Sequence, residues 1–485
     1  MAAVAYDAIV IGGGFNGLAA AALLARFGKR TVLLEAKESF GGFMSAISSG
    51  EGVPLPLGPQ TLYALDPQLV KTLRLQKTGF KLVARDMPLV GLRTDGGQLV
   101  IRRDVYATAT AIAVHSKADA EVWPRFHREL YALARSLRPF LNGEPIDAAT
   151  RARLDQFASF SAAAWLNSWF ESDAVKSALA FDATADGRSI SEAGSVLPFI
   201  WRAAQEMSGL QGAVAFPVCR MNGFSQVMVA AAKDAGVELR SSSEVKHIIL
   251  DHASAAGVAL TSGEEIFAKN VFSALPRTMT LKLLPPLSTG IAQYKELSGT
   301  ASPLSEAWIT LALNAAPRFA EGNVPINGRF IVAERMDSYI EAEMAARAGK
   351  LASDTPLEAV VLSALDPAIA PTGQHVISLT VRPVPEPPQA GRGALKDELL
   401  KKTVAALGRH IVNLSNAMVR SEILTLDDLM CFRQASSSRA VFNTSQAVRS
   451  SIPRLYLCGA DTEPVCAISG TAARLALAAA RIDAP

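Results

Sequence analysis

Residues 6–42, YDAIVIGGGFNGLAAAALLARFGKRTVLLEAKESFGG, constrain the fold more than any other part of the chain. A short apolar run, Ala8 to Ile11, meets three glycines and then an alanine-rich helical stretch. A second apolar run, Thr31 to Leu34, ends on Glu35. Gly12, Gly14 and Gly17 have G-x-G-x-x-G spacing, with the acid 18 positions after the last glycine. Strand, helix, strand and acid in that order form a dinucleotide-binding unit. Gly12 permits the tight turn, Gly14 lets a pyrophosphate approach the backbone, and Gly17 lets helix and strand pack closely. The helix N-terminus presents unpaired N–H groups and a positive dipole end to the phosphates. Glu35 is expected to accept hydrogen bonds from ribose hydroxyls, which argues against a 2′-phosphate.

The residues that follow choose among dinucleotides. Gly41 and Gly42 continue the signal after Lys37 as E-x-K-x-x-x-G-G. A plain nicotinamide site does not need this second glycine pair, whereas it is similar to the extended fingerprint of two-domain flavoproteins. The expected cofactor is FAD. Phe15 and Asn16 inside the fingerprint, and Ala36 beside the acid, are expected along it. Lys37 is expected to meet a ribose or phosphate, or to stand in solvent.

A length of 485 residues exceeds one ordinary core and suggests two or three structural units. With 49% hydrophobic and 19% charged residues, the chain reads as globular. A net charge of +3, with no long run of like charge, offers no broad field for nucleic acid. No uninterrupted apolar stretch is long enough to span a membrane. The N-terminus enters the first strand almost at once, which predicts no signal peptide and a cytoplasmic protein. Cys219, Cys431, Cys458 and Cys466 form no C-x-x-C pair, so a redox disulfide is not expected. The histidines are scattered without metal-ligand spacing.

The chain divides into interleaved segments. Residues 1–84, 206–285 and 426–485 are expected to form a discontinuous, Rossmann-type α/β cofactor domain. Residues 85–205 and 286–425 are expected to form a mixed α+β substrate domain. In it, 85–205 reads as a helical layer with apolar positions at three- and four-residue spacing. GVALTSGEEIFAKNVFSAL predicts a hairpin turning at Ser262-Gly263, followed by a buried strand. PEPPQAGRG, from Pro385, reads as a loop. RLYLCGADTEP predicts a final buried strand, and CAISGTAARLALAAARI a final helix.

Together these pieces resemble the phytoene desaturase-like and amine oxidase-like FAD oxidoreductases. Within them the chain is most similar to the branch containing pyridine nucleotide-disulfide oxidoreductase domain-containing protein two. The resemblance runs over nearly the whole chain, including WFESDAVKSALAFDA, AAGVALTSGEEIFAKNVFSALPRT, DPAIAPTGQHVISL and LYLCGADT. It implies a two-domain flavoprotein fold, bound FAD, and dehydrogenation of a largely apolar substrate. The sequence departs from the family at three places. Arg220-Met221-Asn222-Gly223 replaces a G-G-M turn, and FIWRA at Phe199–Ala203 replaces a histidine pair. Glu463-Pro464-Val465-Cys466-Ala467 replaces a glycine-rich H-P-G-G-G stretch.

The resemblance also implies roles for single residues. Gly459 and Asp461 match the turn that meets the ribityl and phosphate region, although an aspartate capping the next helix is the alternative. Gly470 and Thr471 open the last helix beneath the isoalloxazine, where a helix N-terminus stabilises the negative charge of a reduced ring. Val245 fits the strand whose backbone touches the adenine. Cys466 is expected to contact the ring, bond to it as a thioether, or fill space. Trp201 and Arg202 are flavin-facing candidates beside an aromatic core of Trp165, Trp169, Phe170 and Phe199. His375 fits a loop-fixing hydrogen bond better than acid–base chemistry.

The expected activity is hydride transfer from a lipophilic or aromatic small molecule to flavin N5, with reoxidation by dioxygen or a quinone. Amine-oxidase-like C–N oxidation is one alternative, and a flavin-bearing scaffold without turnover is another. A peripheral membrane contact through 85–205 and a homo-oligomer both stay open.

Overall fold

The computed structural model describes residues 6–45, 55–141, 144, 146–187, 189–218, 220–285, 304–320, 322–385, 391–425, 447–463 and 468–482. Cys466 and most of the PEPPQAGRG segment lie outside them.

Two seven-stranded sheets organise the described chain. In the first, Tyr6–Ile11 lies between Thr31–Leu34 and Glu265–Ser273 and runs parallel to both. Glu238–Arg240 extends the sheet beyond Thr31–Leu34, and Leu455–Leu457 joins Glu265–Ser273, again in parallel. Parallel strands covered on both faces need continuous apolar runs, and Thr31–Leu34 is buried at every residue. Val245–Asp251 and Ser254–Leu260 form an antiparallel ribbon leading into Glu265–Ser273. The predicted hairpin turns where expected, and Gly263 has φ of +92°.

Three helices cover one face of this sheet: Phe15–Arg26, Arg220–Asp234 and Thr471–Ala479. The first is buried from Phe15 through Leu24. Alanine dominates it because it must pack closely against both neighbouring helices as well as the sheet. A Cβ at Gly17 would lie 1.9 Å from the Gly12 carbonyl oxygen, so no side chain fits there.

The second sheet has the order Met418–Thr425, Leu304–Leu313, His375–Pro385, Leu357–Val361, Arg329–Val332, Leu89–Leu92, Leu99–Ile101. Its pairings are antiparallel except that between Arg329–Val332 and Leu89–Leu92. One face carries Ala307, Ile309, Leu311, Ile377 and Leu379 against Leu395, Leu399 and Leu407 of the helix Arg392–Gly408. The strands of the first sheet thus come from residues 6–34, 238–273 and 455–457. Those of the second come from 89–101 and 304–425.

One expectation is corrected. The stretch from residue 85 does not begin as a helical layer, because Leu89–Leu92 and Leu99–Ile101 form an edge hairpin of the second sheet. The intervening Asp95-Gly96-Gly97 supplies the turn chemistry, and Gly96 has φ of +81°. Helices start at Val105. The longest, Lys117–Ser136, is capped by Ser116 Oγ, which accepts from the Asp119 N–H. Its Trp123 and Phe126 pack with Trp165, Phe170 and Phe199 in one aromatic core. Among the described residues no helix is long and apolar enough to cross a membrane.

Candidate flavin site

The C-terminal ends of the parallel strands gather the predicted cofactor residues. Gly12 ends the first strand with φ of +95°, and the fingerprint helix starts immediately after Gly14. Glu35 is already oriented: the Gly13 N–H donates to its Oε2 at 2.7 Å, and the Lys37 N–H donates to its Oε1 at 2.9 Å. Each carboxylate oxygen keeps a free lone pair for a ribose hydroxyl. Ala36 and Lys37 are exposed. The second glycine pair folds back on the first, with the Gly41 N–H donating to the Gly13 carbonyl at 2.8 Å. A Cβ on Gly42 would lie 3.1 Å from the Gly14 Cα, so the two loops nearly touch. Above Gly14 itself there is open space, with no atom of the other described residues within 4 Å of where a Cβ would stand. That opening, beside two glycine pairs that nearly touch, leaves room for a pyrophosphate to approach the backbone.

Other segments complete the cradle. Ser243 donates its N–H to the Glu35 carbonyl at 2.7 Å and Ser242 to that of Lys37 at 2.9 Å. This lays the approach to Val245 alongside the acid. Val245 is buried in one cluster with Ile11 and Leu34, whereas Lys246 and His247 are exposed. Gly459 follows the last strand, and a Cβ there would meet the Leu275 carbonyl at 2.6 Å. Leu275 also covers Gly12, which ties the two ends of the site together. The Arg277 N–H donates to Asp461 Oδ2 at 2.6 Å. Asp461 Oδ1 is closed off from solvent and has no partner among the described residues. Burial accordingly pushes the Asp461 carboxyl above its ordinary value, against the pull of Arg277. The Asn16 amide oxygen, inside the fingerprint helix, is buried and unpartnered in the same way. A buried acceptor without a donor is costly, and FAD carries ribityl hydroxyls that could serve as donors. On these observations the residues fit the cofactor.

Gly470 precedes the final helix with φ of +77°. A Cβ there would lie 2.4 Å from Leu69 Cδ2 and 3.6 Å from the Phe15 ring, so the helix N-terminus is set directly beside the fingerprint. The Thr471 N–H donates to Ser469 Oγ at 2.8 Å. Cys458 is fully buried, and burial pushes its thiol up to about 12. It is a packing residue.

Of the remaining candidates, Trp201 and Arg202 lie on the helix Val196–Ala204 and His375 begins a strand of the second sheet. Trp201 is buried edge-to-face against Phe140, with centroids 6.1 Å apart. Arg202 points the other way, its guanidinium 5.1 Å from the centroid of Tyr63 and 3.1 Å from Asp182. Asp182 also accepts from Arg329 at 2.7 Å, and Arg329 Nε donates to Glu358 Oε2 at 2.6 Å. Arg202 and Arg329 hold the Asp182 carboxyl down at about 2 despite its burial. Sequence could not pair these groups, since Asp182 and Arg329 are 147 residues apart. His375 Nδ1 lies 3.2 Å from Ser363 Oγ, a contact that fixes the start of its strand.

The comparisons agree with this geometry. Residues 15–304 match the family described as flavin containing amine oxidoreductase, and the chain belongs to it. It is similar to pyridine nucleotide-disulfide oxidoreductase domain-containing protein 2 from Rattus norvegicus, with 27% identity covering 97% of this chain and 92% of that one. It is also similar to hydroxyneurosporene desaturase from Cereibacter sphaeroides, with 29% identity covering 54% of each. Among solved structures, wild-type putrescine oxidase bound to putrescine has the same fold, with a TM-score of 0.64 and 15% identity over 98% of both chains. The protein is an FAD-dependent oxidoreductase of the amine oxidase and desaturase type.

Substituting Glu35 tests the adenosine end. Charge-assisted hydrogen bonds contribute about 1.5–3 kcal/mol each. Glu35→Ala is therefore expected to weaken FAD by roughly one to two powers of ten. Equilibrium dialysis measures this; unchanged affinity would reduce Glu35 to an organiser of Gly13 and Lys37.

Proposed function

We propose that the protein dehydrogenates a lipophilic or aromatic small molecule and passes the electrons to dioxygen or a quinone. FAD supplies the hydride acceptor at N5. The chain's own residues then have to bind the substrate, orient it and exclude water. The reading rests chiefly on Phe43, one residue past the second glycine pair. Its ring meets Trp308 of the second sheet edge-to-face, with centroids 4.8 Å apart. The cofactor loop thus runs straight into an aromatic contact on the sheet face turned away from the helix Arg392–Gly408. Thr310 on that face donates to the Pro56 carbonyl at 2.7 Å, and Tyr63 packs beside Ala312 and Val360. Aromatic and aliphatic groups bordering a cofactor favour an apolar substrate. Tyr63, with Arg202 behind it, would give such a substrate one polar edge.

Oxidation of a C–N bond shares this site and is favoured by the family to which the chain belongs. Oxygen consumption by the FAD-loaded protein with matched panels of polyenes and lipophilic amines separates the two. Turnover confined to polyenes or other hydrocarbon substrates is the expected result, and turnover confined to amines selects C–N oxidation. A bound flavin that dithionite reduces but neither air nor quinone reoxidises would point instead to a scaffold.

A further inference from the structure

Glu463 stands where the sequence departs from the family's H-P-G-G-G stretch, two residues after Asp461, and nothing above uses it. It is buried, with 4% of its surface exposed. Ser469 Oγ lies 2.7 Å from one carboxyl oxygen and 2.6 Å from the other. The Ala472 N–H, in the first turn of the final helix, donates to Oε1 at 3.1 Å. Among the described residues no lysine or arginine makes an ion pair with it. Arg474 is nearby but is paired with Asp66 at 2.7 Å, and Asp66 is in turn held by the Gln68 N–H at 2.8 Å. Among the described residues Glu463, Asp66 and Arg474 are the charged groups of this cluster, so ionised Glu463 sets a second negative charge against the one positive charge of Arg474.

The hydrogen bonds suit both protonation states. As a carboxylate, Glu463 accepts from the Ser469 hydroxyl and the Ala472 N–H. As an acid, it can donate from Oε2 to Ser469 Oγ while that hydroxyl donates to Oε1, closing a ring of two hydrogen bonds. Ser469 Oγ accepts from the Thr471 N–H in either case. Neither form orphans a buried atom, so the side chain can gain or lose a proton without rearrangement.

We propose that Glu463 is the proton store of the flavin site, ionised while the bound FAD is oxidised and protonated while it is reduced. This rests on the reading that the final helix opens beneath the isoalloxazine. Substrate oxidation releases a hydride and a proton as the new double bond forms. The hydride adds to FAD, whose reduced form then carries one extra negative charge; the proton is taken up by the Glu463 carboxylate. Reoxidation returns both electrons, the ring's proton and the Glu463 proton to dioxygen as hydrogen peroxide, or to a quinone as quinol. Charge near the final helix therefore stays constant through the cycle. Burial supports the assignment by pushing the carboxyl up to about 7, reinforced by Asp66 and opposed by Ser469, Ala472 and Arg474.

Redox titration of the FAD-loaded protein across pH, followed by flavin absorbance, tests this. Hydride uptake alone couples one proton to two electrons. A second proton on Glu463 doubles the slope of midpoint potential against pH. The wild type should show the doubled slope from about pH 7 upward, until Glu463 is ionised in both redox states. Glu463→Gln should show the single slope over that same range. A reduced-minus-oxidised infrared spectrum should contain a protonated-carboxyl band that Glu463→Gln removes. A single slope in the wild type, or a doubled slope that persists in the variant, overturns the proposal. The wild-type profile and infrared spectrum decide the matter even if the variant fails to fold. Absence of stoichiometric FAD from the purified or FAD-reconstituted wild type would instead refute the cofactor site, before any slope is read.

Discussion

Gly14→Val is expected to abolish FAD binding while leaving the protein folded. The two halves of this outcome come from the same observation: among the described residues, a Cβ at this position meets no other residue's atom within 4 Å. The added side chain therefore costs the apo fold little, yet it fills the space in which the pyrophosphate must approach the backbone. Gly14 has φ of −70° and ψ of −179°, so its backbone is open to other residues. A loss of at least about a hundredfold in affinity, equivalent to about 2.7 kcal/mol, is expected. Flavin absorbance of the purified variant and far-ultraviolet circular dichroism measure the two halves. Gly17→Val makes the contrast, because its Cβ would sit 1.9 Å from the Gly12 carbonyl oxygen and should disrupt the fold itself. Full flavin content in Gly14→Val would remove the pyrophosphate from this turn.

The second large effect lies in the buried charges that join the helical layer to the second sheet. Arg329→Met should cost about 3–5 kcal/mol, because it removes the cation paired with Glu358 and leaves Asp182 one of its two ion pairs among the described residues, that with Arg202. Thermal unfolding is expected to fall by roughly 3–5 °C, because the unfolding entropy of a chain of 485 residues makes each kcal/mol worth about 1 °C. The pH dependence has a definite sign. A carboxyl held down at about 2 contributes stability that is complete above its unfolded value and is lost as pH falls through about 2. Without Arg329 the Asp182 carboxyl rises toward its ordinary value, so acid unfolding should begin at higher pH. Adding Glu358→Gln to Arg329→Met should recover part of the loss by removing the stranded charge. Equal melting temperatures for wild type and Arg329→Met would show that the ion pairs contribute nothing.

Legibility in the sequence followed distance along the chain. The fingerprint was readable because one unit of 37 residues contains its strand, glycines, helix, second strand and acid. Its backbone needs are local and leave little choice of residue. The hairpin at Ser262-Gly263 and the final helix after Gly470 were readable for the same reason. The Leu89–Ile101 hairpin was overlooked beside the strong helical periodicity that follows, although Asp95-Gly96-Gly97 is a turn signal. Glu463 stood out only as a departure, because its character depends on Ser469, Asp66 and Arg474. Asp66 lies 408 residues from Arg474, and no local pattern announces such a meeting. Arg277, which holds Asp461, has no signal in its own segment either.

The place of Leu455–Leu457 and Thr471–Ala479 in the chain also sets a clock for synthesis. Thr471–Ala479 packs against the fingerprint helix, and Leu455–Leu457 pairs with Glu265–Ser273 beside the first strand, yet a ribosome adding about 5–20 residues per second delivers them roughly twenty seconds to a minute and a half later. Throughout that interval the fingerprint helix, alanine and leucine along most of its surface, gains Arg220–Asp234 beside it but lacks the second of its two neighbouring helices, so this face of the first sheet closes late in synthesis.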